Sequence, residues 1–181
     1  MFVLTSPEIV ERGIIPVKYA NGGFGVEGGQ NMSPPFTWKN APEGTKSFAL
    51  ACIDPDVPLE WEWFPYKDQV KVGMLPGDCF VHWVVCDIPA SVTSLTEGAS
   101  PDKLPSGAKE IATSFDAFGL KGYGGMAPPQ VHKAHGYVFT IYALNVDALG
   151  LAPDSSYIDF INAMKGKVLA TSSLTAYFGH Y

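Results

Sequence analysis

The chain has 181 residues and a formal net charge of -6, with 46% hydrophobic and 17% charged residues. That is apolar enough to bury one core without disulfide staples, and too weakly charged for a disordered chain. Its 12 lysines and arginines stand singly, so no basic stripe follows a nucleic-acid backbone, and an anionic membrane surface would repel it.

Met1 to Pro7 lacks the basic and long apolar regions of a signal peptide. No run approaches membrane-spanning length. Residues 14–19 form a short apolar run, and Asn21 to Ser33 is a glycine-rich loop. Phe36-Thr37-Trp38 is a second short run, closed by a turn over 40–44. Ser47 to Ile53 reads as a buried strand, with Phe48, Leu50 and Cys52 on one face by the two-residue period. Leu59 to Cys79 carries Trp61, Trp63, Phe64 and Tyr66. Phe80 to Ile88 reads as a strand in which His82, Val84, Cys86 and Ile88 share a face. Tyr137 to Leu144 is another, with Tyr137, Phe139, Ile141 and Ala143 together.

One helix stands out near the C-terminus. Tyr157, Ile158, Ile161 and Met164 keep helical spacing, Asp154 or Ser155 can cap the start, and Gly166 suits the end. Val168 to Phe178 reads as the last strand. With 15 prolines and 19 glycines punctuating short strands, the chain is expected to be one domain, 1–181, of the antiparallel sandwich or barrel class. Cys52 and Cys86 sit in strand-like runs as small buried hydrophobes, consistent with a reducing, cytoplasmic setting.

The chemistry gathers at strand ends. Asp54 closes one strand, while His82 and His135 lie near the beginnings of two others. If the first runs antiparallel to both, the three side chains meet at one rim. Imidazolium groups and the Tyr137 hydroxyl would donate to an anion, and Asp54 would orient an imidazole. Gly122-Tyr123-Gly124-Gly125 would bring backbone N–H groups close to a ligand. Gly23 to Gly28 matches a dinucleotide-binding string, but Gly29 to Pro35 cannot supply the helix that such a site needs. Cys79 and His82 have ligand-like spacing, yet no second pair completes a structural zinc site.

Asp54-Pro55-Asp56-Val57-Pro58, His82-Trp83, the Gly-Tyr-Gly-Gly-x-x-Pro-Pro segment ending at Pro129, and His135-x-Tyr137 together resemble the phosphatidylethanolamine-binding protein family, in its bacterial and archaeal Raf-kinase-inhibitor-like branch. Ser33-Pro34, the Ala41–Phe48 segment and Tyr177-Phe178-Gly179 fit as well. The resemblance implies a mainly β, antiparallel sandwich with one or two short peripheral helices. It implies a non-enzymatic pocket for a phosphate-bearing anion or phospholipid headgroup, possessing neither metal nor cofactor. By motif, Asp54, Asp56, Pro58, His82, Trp83, His135 and Tyr137 match the pocket, with Pro58 and Trp83 as walls, and Gly125, Met126 and Ala127 match the backbone lining. Met126 stands where proline is common and Gly136 where arginine is common, and the 59–79 segment is longer than usual. A regulated protein partner, a kinase or protease engaged through a surface including 59–79, is the alternative, and a metal-assisted hydrolase a weaker one. A homodimer is expected by analogy with bacterial relatives.

Overall fold

A computed structural model describes residues 1–57, 79–130 and 132–179. Pro58 and nearly all of the aromatic 59–79 segment therefore lie outside the described residues. Eight strands form two antiparallel sheets: β1 (Val3–Thr5), β2 (Phe36–Lys39), β3 (Ser47–Asp54), β4 (Phe80–Pro89), β5 (Ser94–Leu95), β6 (Lys109–Glu110), β7 (His135–Leu144) and β8 (Val168–Phe178). The smaller sheet has the order β1-β2-β5 and the larger β6-β4-β3-β7-β8. This is the expected mainly β, antiparallel architecture.

The period-two reading explains the core. Phe48, Leu50 and Cys52 of β3 face the smaller sheet together with Tyr137, Phe139, Ile141 and Ala143 of β7, and pack with Leu4, Phe36, Trp38 and Leu95. The intervening Ala49 and Ala51 face the other way, under the α-helix α1 (Tyr157–Met164), which contributes Tyr157, Phe160 and Met164. Helix α1 begins one residue later than expected. Ser156, not Asp154 or Ser155, is its cap, in a reciprocal capping box with Asp159.

Strand β4 departs from simple alternation. Cys52 pairs with Trp83 but Ile53 pairs with Val81, so His82 is an extra residue on β4; a second shift lies between the Phe48–Ile88 and Leu50–Val85 pairs. Asp87, in that second irregularity, has φ 58. Each bulge turns the following side chains over. Trp83, Val85 and Ile88 therefore join the core between the sheets, and Val81, Val84 and Cys86 the core under α1. The expected common face of His82, Val84, Cys86 and Ile88 does not form. The bulge instead carries His82 to the side of Tyr137, with their rings 5.1 Å apart.

Candidate functional site

Strand β3 runs antiparallel to both β4 and β7, so the C-terminal end of β3 meets the N-terminal ends of its two neighbours. Asp54, His82, His135 and Tyr137 gather there. They form the floor of a cleft that opens to solvent. Its walls come from loops: Phe24, Val57, Phe115, Phe118, Ala127, Pro128 and Pro129, with Phe80 at the start of β4.

Local chemistry fixes those loops. Asn21 accepts a bond from the Gly23 N–H at 3.1 Å, and its own N–H donates to the Met126 carbonyl at 3.0 Å. Asn31 donates to the Tyr123 carbonyl and accepts from the Gly125 N–H at 2.7 Å. The glycine-rich 21–31 loop is thus clamped to the 122–126 loop, and Phe24 is held at the mouth. A 3-10 turn, Ser114–Phe118, supplies Phe115 and Phe118. It has its own capping box between Thr113 and Asp116, and the Ser114 hydroxyl accepts from the Val81 N–H at 2.8 Å. Phe24 meets Phe115 and Phe118 edge-on, at 5.3 and 5.2 Å between centroids.

At the floor, His135 Nδ1 lies 2.6 Å from the Asp54 carboxylate, with the two side chains 3% and 4% exposed. A carboxylate can only accept, so Nδ1 carries the proton and the ring is fixed by the aspartate. The other carboxylate oxygen of Asp54 accepts from the Asp56 N–H at 2.8 Å. Asp56 in turn accepts from the Gly136 N–H at 2.6 Å. Asp56 is therefore a clasp between the end of β3 and the start of β7, outside the cleft lining.

His82 Nδ1 donates to the Gly124 carbonyl at 2.7 Å. Burial pushes the His82 imidazolium below the ordinary pKa of 6.5, against the raising influence of Asp54 and of Gly124. The expectation of two cationic imidazoles is thus revised for His82, which is neutral near pH 7. Because the unfolded chain then binds the extra proton more readily, the contribution of His82 to stability is fully present above pH 6.5 and is lost as pH falls toward its lower folded value. Thermal unfolding between about pH 5 and 8 is expected to show wild type losing stability on acidification more steeply than His82→Asn, whose amide keeps the bond to Gly124. Parallel profiles would reject a buried neutral His82.

Tyr137 is fully buried, and its hydroxyl has no hydrogen-bond partner among the described residues. Burial, and then the charge of Asp54, push its pKa far above the usual phenol range, so it stays a protonated donor.

Besides Asp56, three expected members take other places. Trp83 does not line the cleft: its indole donates to Glu110 at 2.6 Å and its ring packs edge-on against Tyr123. The Gly125 N–H is taken by Asn31, and Met126 is buried with its sulfur 3.4 Å from the Tyr123 hydroxyl. Of that segment, Ala127 reaches the cleft. The aromatic wall of Phe24, Phe80, Phe115 and Phe118 was not foreseen, nor was His132, whose Nδ1 lies 3.1 Å from His135 Nε2. Among the described residues no group of three or more His, Cys, Asp or Glu is placed to hold a metal. Likewise, no helix among them is long and apolar enough to cross a membrane.

Comparison with known proteins agrees with this fold. The UPF0098 protein of Aquifex aeolicus is 38% identical over 146 residues, covering 81% of this chain and 73% of the relative. Escherichia coli YbcL is 35% identical over 177 residues, covering 96% and 85%. The crystal structure of YbcL, described as a member of the mammalian PEBP family, matches with a TM-score of 0.83 at 33% identity over 99% of both chains. Residues 5–179 fit the family model described as phosphatidylethanolamine-binding protein. With fold and near full-length similarity in agreement, the chain belongs to the phosphatidylethanolamine-binding protein family.

Proposed function

We propose that the protein is a non-enzymatic binding module whose rim cleft takes the phosphate-bearing head of a small molecule or phospholipid. The observation that carries this reading is the Tyr137 hydroxyl. It is a buried donor without a partner among the described residues, on the floor of an open cleft beside the Asp54–His135 pair. A buried unpaired hydroxyl costs about 1–3 kcal/mol, and a ligand oxygen accepting its proton would recover that loss. The aromatic wall gives an apolar portion of the ligand somewhere to lie.

The test is a melting-temperature titration with inorganic phosphate, phosphoethanolamine and nucleotides. It is run on wild type, Tyr137→Phe and the His82→Ala/His135→Ala double variant. Wild type is expected to rise with at least one of them, and the double variant to stay flat. Tyr137→Phe is expected to bind about 10- to 100-fold more weakly, the worth of one hydrogen bond to a charged group. A wild-type melting temperature indifferent to every phosphate compound would sink the proposal. The two phosphate sources separate in the titration: preference for phosphoethanolamine over free phosphate indicates headgroup recognition.

A further inference from the structure

His135 has two ring nitrogens, and this chain uses both of them internally. Nδ1 is bound to Asp54 at 2.6 Å. Nε2 faces His132 Nδ1 at 3.1 Å, with the two rings nearly parallel at 28° and their centroids 5.4 Å apart. One proton bridges that gap, whichever ring carries it. In either arrangement the second ring nitrogen of His135 is satisfied before any ligand arrives. The contact is prepared by the backbone. The His132 N–H donates to the Pro129 carbonyl at 3.0 Å, closing a turn behind the stiff Pro128-Pro129 pair, and His135 follows three residues later at the start of β7. His132 is not itself part of the cleft lining.

We propose that His132 is a specificity-determining residue that acts as a built-in competitor, occupying His135 Nε2 so that a ligand must displace its imidazole to engage that nitrogen. The inference rests on the cleft being the ligand site, as proposed above. Its consequence is selectivity. A ligand that reaches only Tyr137 and the aromatic wall leaves the histidine pair intact. A ligand whose phosphate needs His135 exchanges one hydrogen bond for another and gains little from it.

The experiment is calorimetric titration of phosphoethanolamine and of inorganic phosphate into wild type, His132→Ala, His132→Asn and Tyr137→Phe. It is accompanied by 15N spectra of the histidine side chains. His132→Ala is expected to tighten binding about two- to tenfold, the worth of one neutral hydrogen bond. His132→Asn keeps a hydrogen-bonding atom near the Nδ1 position and is expected to stay close to wild type. In the unliganded protein the Nε2 resonance of His135 should move in the alanine variant. Should that variant fold poorly, saturating wild type with phosphoethanolamine should move the Nδ1 resonance of His132. Unchanged or weaker binding by His132→Ala, tightening by His132→Asn to the same degree, or unmoved resonances would each overturn the inference. Binding that is lost in Tyr137→Phe but indifferent to His132 would remove this inference while the cleft reading stands. Absence of binding in every variant would remove both.

Discussion

Replacing Asp54 with alanine is expected to destabilise the protein by about 3–5 kcal/mol, the range seen when one partner of a buried pair is removed. Both side chains of the Asp54–His135 pair are almost wholly enclosed. The truncation strands two donors at once: His135 Nδ1–H and the Asp56 N–H. Losing the latter also loosens the turn that presents Asp56 to Gly136. Against a typical stability of about 5–15 kcal/mol this is a large fraction. Asp54→Asn keeps one acceptor and should cost less, about 1–2 kcal/mol. Urea unfolding of the two variants measures both numbers. A midpoint for Asp54→Ala within about 1 kcal/mol of wild type would show that the pair does not hold the rim together.

The second large effect is expected at Gly125, for a different reason. A Cβ on Gly125 would stand 2.2 Å from the Tyr19 carbonyl oxygen, 2.8 Å from the Ala20 carbonyl carbon and 2.9 Å from the Asn21 nitrogen. All three are backbone atoms, so no side chain can rotate to make room. The two segments would have to part, breaking the Asn21–Met126 and Gly125–Asn31 bonds that hold Phe24 over the cleft. Gly125→Ala should therefore cost about 3 kcal/mol or more, at the upper end of overpacking effects, and weaken ligand binding with it. Gly119→Ala is the matched control. Its Cβ meets nothing within 4 Å, and only its φ of +76 opposes the change, so about 1 kcal/mol is expected. Equal losses for the two variants would mean that the two segments part easily and that their close approach does not set the cost.

The sequence was most readable where one periodicity ran unbroken. Strands β3 and β7 keep strict alternation, and their inward faces and antiparallel pairing follow from it. That pairing alone brings Asp54 to His135. Strand β4 could not be read the same way, because a bulge has no composition of its own. Nothing in Val81-His82-Trp83 announces the extra residue that puts Trp83 in the core and His82 on the rim. The sequence reads Gly125 as a place where the backbone comes close to a ligand, whereas its close neighbours in the structure are backbone atoms of Tyr19, Ala20 and Asn21. Phe115 and Phe118 carry no motif of their own, since their role depends on a 3-10 turn tied to β4 through Ser114. Phe24 left a fainter trace. A large aromatic between Gly23 and Gly25 has little local structure to pack against, and 43% of it remains exposed. His132 was missed because a two-residue period starting at His135 gives no reason to look three residues back.

The cleft divides its work between two kinds of backbone. Asp54, His82, His135 and Tyr137 stand on strands whose register is locked by neighbours on both sides, while the apolar walls stand mostly on loops fastened by a few side-chain bonds. Chemistry and selectivity can therefore change independently. Exchanging Phe24, Phe118 or Val57 alters what the mouth admits without disturbing a single ladder bond, whereas any change to the floor must answer to the whole sheet. A designer seeking a new guest for this scaffold would vary the loops and leave the four rim residues alone.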